Sequence, residues 1–166
     1  MRALALLPWL LAAALAQVQV AATTPILADL VRQVGGNRVA AVAVLPPGAD
    51  PHTFEPTPSV AQALSQTRLL FANGLGLEPY LPKLQALLPK NAQVVLLGEG
   101  QPGLICGEDH AEEDHGHGPC DPHLWLDPAY AVRYAERILE ALAALDPGGR
   151  DLYRAKMYGP RPTSPA

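Results

Sequence analysis

Apolar residues recur along this chain in two rhythms that alternate with each other. Val18–Ala22, Val39–Leu45, Leu69–Ala72 and Val94–Leu97 are short, nearly continuous apolar runs of the kind that form buried strands. Between them, apolar residues fall three and four apart. Ile26, Leu27, Leu30, Val31 and Val34 share one face of a helix that Thr24 caps, Pro25 opens and Gly35-Gly36 stops. A short helix over 59–66 turns Val60 and Leu64 inward, and another opening at Pro79 carries Leu81, Leu84 and Leu88. A long loop runs from Gly98 to about Trp125. Asp127-Pro128 then caps a helix over 129–145 whose inward stripe is Val132, Ala135, Ile138, Leu139, Leu142 and Leu145.

This strand–helix alternation predicts an α/β fold: a three-layer lobe with a four-stranded parallel sheet flanked by helices. Crossovers are expected to be right-handed. Ligands in such sheets bind where the loops leave the carboxyl ends of the strands. The length of 166 residues fits one domain, and 18 prolines with 14 glycines predict short, sharply bounded elements. A formal charge of −4 argues against nucleic acid as a partner, because phosphate binding needs clustered Lys and Arg.

The first sixteen residues have the pattern of a cleaved export signal. Arg2 supplies the positive start, Ala3 to Leu15 is apolar apart from Pro8, and Ala14-Leu15-Ala16 offers small residues to a signal peptidase. The stretch is too short for a stable membrane span, so no membrane insertion is expected after cleavage. No Cys stands at the cleavage site to carry a lipid anchor, which predicts a periplasmic protein with residues 17–149 as its lobe. Cys106 and Cys120 suit a disulfide in an oxidising compartment, worth roughly 3 kcal/mol from loop closure. Two free, loosely metal-binding thiols are the alternative.

The chemistry concentrates in the histidines. His52 lies in the loop leaving the second strand, within Gly48–Pro58, and His123 lies near the end of the loop leaving the fourth, within Asp121–Pro128. Both loops leave the same edge of a parallel sheet, so two imidazoles distant in sequence can converge. Neutral imidazole is the commonest side-chain ligand for zinc. A metal-binding His also needs a partner on its other ring nitrogen, and Asp50, Glu55, Asp121 and Asp127 are the nearby candidates. The plainer alternative is that each His is a loop residue satisfied by a backbone carbonyl. His110, His115 and His117 stand in an acidic tract between the two cysteines, a composition suited to a low-affinity metal loop or simply to a solvated polar loop.

At these histidine motifs, at the turn Asn73-Gly74-Leu75-Gly76-Leu77-Glu78 and at Val34–Val39, the chain resembles the metal-binding receptors that serve zinc and manganese ABC importers. The resemblance spans roughly residues 18–153. It implies a two-lobed receptor with metal held between the lobes, His52 and His123 being the ligands from the N-terminal lobe. It further implies a monomer that delivers Zn²⁺, or alternatively Mn²⁺, to a membrane permease. The acidic histidine tract looks more like the zinc-using members, and imidazole-rich sites suit zinc while manganese prefers added carboxylates.

Family members continue into a long linking helix and a second lobe. Here Arg150–Met157 resembles the start of that helix, and the last nine residues hold three prolines and a glycine, which cannot continue it. The expectation is a chain truncated to the N-terminal lobe, with residues 150–166 an aborted helix and tail and the C-terminal lobe missing. Two imidazoles completed by water predict micromolar or weaker affinity, on the order of −8 kcal/mol, falling below about pH 6.5. A non-functional fragment of such a receptor is one alternative. A zinc metallohydrolase is another, but the chain has no His-Glu-x-x-His helix or nucleophile elbow, so no enzyme activity is expected.

Overall fold

The computed structural model describes residues 17–107 and 120–160. The export-signal pattern, the His110, His115 and His117 tract and the residues from 161 onward lie outside the described residues. Strands β1 (Val18–Ala22), β2 (Val39–Ala43), β3 (Leu69–Ala72) and β4 (Gln93–Leu96) form one parallel sheet in the order β2-β1-β3-β4. The four strands alternate with α1 (Pro25–Gly35), α2 (Pro58–Leu64) and α3 (Leu81–Leu87), and α4 (Pro128–Leu145) and α5 (Arg150–Tyr158) follow. The fold is the expected α/β lobe of three layers.

The period-two geometry of a strand explains the layers. Val20, Ala22, Leu69 and Phe71 face one side and pack with Leu27, Val31, Tyr134, Ile138, Leu142 and Tyr153 from α1, α4 and α5. Ala21 and Leu70 face the other and pack with Leu64, Tyr80 and Leu84 around α2 and α3. Central β3 is buried at all four positions, whereas β2 lies at the sheet edge and leaves Val42 40% exposed. The apolar run therefore ends as a strand at Ala43, and Val44 and Leu45 are buried beyond it.

The helix starts follow their capping chemistry. Thr24 Oγ1 accepts from Leu27 N, Asp127 Oδ1 accepts from Ala129 N, and a proline occupies the first turn in both. The inward faces need correction. Ile26 is 48% exposed and Val132 53%, while Tyr134 is completely buried. Ala135 and Leu145 are only partly buried against the core, as is Leu30. Helical spacing identifies an apolar arc without fixing its centre, and here the arc is rotated toward Tyr134 and Ala143. Tyr153 of α5 is completely buried, so packing continues past residue 149. Among the described residues, no helix is long and apolar enough to cross a membrane.

Candidate metal centre

The two outermost strands, β2 and β4, carry the loops that hold His52 and His123. Both histidines end the same tripeptide, Asp50-Pro51-His52 and Asp121-Pro122-His123. In each copy the Asp Oδ1 accepts from the His backbone N–H at 2.9 Å, an Asx turn with a φ-locked proline at its centre. Thr53 Oγ1 adds a bond to Asp50 Oδ2 at 3.1 Å. The repeated tripeptide was visible in the sequence and is the signal that pairs the two loops.

Of the four carboxylates considered as ring partners, Asp121 is the one on His123, with Oδ1 2.8 Å from Nδ1. A carboxylate there favours the tautomer protonated on Nδ1, the form whose lone pair is on Nε2. Asp127 instead caps α4. Glu55 pairs with Lys83 at 2.6 Å, an exposed ion pair of small energetic value.

The His52 and His123 rings lie 6.2 Å apart, centroid to centroid, at 69°. Two imidazoles on one tetrahedral zinc, with Zn–N near 2.0–2.1 Å, have centroids about 5 Å apart. The observed pair needs to close by about 1 Å, a displacement within the range of a small side-chain rotation. Trp125 stands edge-on to His123 at 5.3 Å, and Leu124 is buried with the α4 layer. On the other side Phe54 stands edge-on to Tyr80 at 5.1 Å and packs with the α2 and α3 layer. Each histidine loop is thus rooted in a different apolar layer.

Just past the ends of β1 and β3, Thr23, Asn73 and Glu78 form a polar floor, all buried. Glu78 accepts from Thr23 Oγ1, from Asn73 N at 2.8 Å and from Gly74 N at 3.0 Å. Burial pushes the Glu78 carboxyl above the usual range, and these three donors pull against that rise. The Tyr80 hydroxyl is buried and makes no hydrogen bond within the described residues, and burial with the nearby Glu78 and Asp50 charges pushes its pKa up. This floor was missed from sequence, where Asn73-Gly74 reads as a turn.

Cys106 and Cys120 are disulfide-bonded, which decides between the two readings of the pair. They form an isolated antiparallel bridge, and Asp121 N donates to Ile105 O at 2.9 Å, so the bond lies directly against the His123 turn. Among the described residues, no group of three or more His, Cys, Asp or Glu side chains is placed to hold a metal, and the donors brought together are the two imidazoles.

Residues 20–158 match the family described as zinc-uptake complex component A, periplasmic. The chain is 32% identical over 145 residues to the metal ABC transporter substrate-binding lipoprotein FimA of Streptococcus parasanguinis, covering 85% of this chain and 46% of that protein. It is 35% identical over 130 residues to the manganese-binding lipoprotein MntA of Halalkalibacterium halodurans, covering 78% and 40%. Among solved structures, the Mn-bound periplasmic metal binding protein of Candidatus Liberibacter asiaticus superposes with a TM-score of 0.74 at 26% identity, covering 86% of this chain and 52% of that one. A crystal structure of ZnuA gives 0.74 at 32% identity, covering 85% and 52%. The chain spans about half the length of the relatives it matches.

Proposed function

The chain belongs to the family of periplasmic zinc-uptake components, and on that premise we propose that it captures a divalent transition-metal ion between His52 and His123 for delivery to an ABC importer. The observation that carries this reading is the approach of the two imidazoles over the carboxyl end of the sheet. In the order β2-β1-β3-β4 the chain turns outward in opposite directions from β1 and β3, the place where open α/β sheets bind ligands. The relatives span both metals: MntA is described as manganese-binding, and a ZnuA deletion mutant was solved with zinc bound.

For this chain we favour zinc, since two imidazoles suit it and manganese selects more carboxylate oxygen. Capture outside the cytoplasm accords with the disulfide and with the family's periplasmic description. Residues 17–149 are then the metal-binding lobe, and α5, packed on α1 and α4, corresponds to the truncated start of the inter-lobe helix that the resemblance implies. The remaining coordination positions are open to water or to a second body.

Isothermal titration with Zn²⁺ and Mn²⁺, on the purified protein and on His52→Ala and His123→Ala, tests the reading. Zinc is expected to bind more tightly than manganese, and each substitution is expected to abolish measurable binding. Undiminished zinc binding in both variants would remove these residues from the site.

A further inference from the structure

We propose that Asn73 is a positioning residue for His123, and that Tyr134 anchors the Asn73 side chain in place. The inference rests on the reading of His123 as a metal ligand and asks what holds that ligand still.

Asn73 follows β3, is completely buried, and uses every polar group it has. Its N–H donates to Glu78 Oε1 at 2.8 Å and its carbonyl accepts from Gly98 N at 2.8 Å. Its side-chain Nδ2 donates to Gly74 O at 3.0 Å and to Pro122 O at 2.9 Å, and its Oδ1 accepts from the Tyr134 hydroxyl at 2.7 Å. Two carbonyls at one end of an amide require that end to be the nitrogen. The Tyr134 hydroxyl donates to the other end and so holds the amide from the α4 side.

The bond to Pro122 matters because of what that carbonyl belongs to. The peptide group joining Pro122 to His123 has its oxygen held by Asn73 and its N–H held by Asp121. A planar group gripped on both sides cannot rotate, so the backbone entry to His123 is fixed before its ring is considered. Asp121 then holds Nδ1. The imidazole is consequently oriented from three directions, and one of them reaches the loop from the centre of the sheet.

The surroundings are shaped for this hub. A Cβ on Gly98 would stand 2.9 Å from the Asn73 carbonyl oxygen and 3.0 Å from the Tyr134 hydroxyl, so only glycine lets that strand end close over the amide. Leu75, in the same turn, takes a left-handed backbone (φ 56°) that is costly for leucine, with its N–H held by Glu99 Oε1 at 3.0 Å. These features fit a rim held in one geometry.

The test compares Tyr134→Phe and Asn73→Asp with Tyr153→Phe and His123→Ala. Tyr153→Phe removes the hydroxyl of another completely buried tyrosine, bonded to Asp146 beyond the far end of α4. Zinc affinity is read by chelator competition, and coordination by the visible d–d bands of the protein loaded with Co²⁺. Tyr134→Phe is expected to weaken zinc about 3-fold and to move the cobalt bands, with Asn73→Asp up to about 10-fold in the same direction. Tyr153→Phe is expected to leave both readouts in place while lowering stability.

If Asn73→Asp does not fold, Tyr134→Phe decides alone. Affinity and cobalt bands in Tyr134→Phe matching those of Tyr153→Phe, with binding lost in His123→Ala, overturn the positioning role and leave the site intact. Binding undiminished in His123→Ala overturns the site itself, and this inference with it.

Discussion

Replacing Asp121 by Ala isolates how much metal affinity depends on holding the His123 ring. Its Oδ1 takes two bonds, from the backbone N–H and from ring Nδ1. Outer-shell partners of this kind are worth about 10- to 100-fold in metal affinity. The side chains of His123 and Asp121 are 40% and 50% exposed, so solvent screens the carboxylate and the lower end applies. Asp121→Ala is therefore expected to weaken zinc about 10-fold, or ~1.4 kcal/mol. Asp121→Asn keeps an oxygen that can accept both bonds and loses only the charge, so its loss should be about 3-fold, less than half of that free energy. Competition against a chromophoric chelator, with urea midpoints measured alongside, separates affinity from folding. The reasoning is refuted if Asp121→Ala binds zinc like the unsubstituted protein while His123→Ala does not bind.

Three further outcomes follow from the packing and charges. Leu142→Ala, at a completely buried position of α4, should lower unfolding free energy by about 2–5 kcal/mol in urea titrations. Replacing Cys106 and Cys120 together by Ser opens a loop of sequence separation 14 and should cost about 3 kcal/mol, checked in the same assay. Asp146 is held down to about 2 by its bonds from Arg38 and Tyr153, so the stability it contributes is present above the ordinary carboxylate value and is lost as pH falls from about 4 toward 2. Asp146→Asn should be the less stable protein at neutral pH, with the gap closing across that window. A gap independent of pH would show that the pair contributes nothing by ionisation.

What the sequence made legible was local. Thr24-Pro25 and Asp127-Pro128 announce helix starts because capping is a matter of adjacent atoms, and β1 and β3 fall on their apolar runs because both are interior strands. The convergence of His52 and His123 could be argued because parallel strands deliver their loops to one edge. Reading failed where an answer depended on neighbours remote in the chain. Ile26 and Val132 satisfy helical spacing as well as the residues that are buried, and only the position of the sheet decides among them. Asn73 reads as half of a turn because its three side-chain partners, Gly74, Pro122 and Tyr134, include two that lie in other elements. The disulfide and its alternative could not be separated by spacing, since both fit Cys106 and Cys120.

Because the histidine loops arise from the two edge strands and are rooted in opposite apolar layers, an ion gripped by both rings acts as a crosslink through the entire lobe. It ties residues seventy-one positions apart and couples the melting of one layer to that of the other. Saturating zinc at 100 times its dissociation constant adds about 2.7 kcal/mol to the unfolding free energy. That increment belongs to no single strand: amide protons of β1 and β3, which touch no metal, should slow in exchange together with those of β2 and β4.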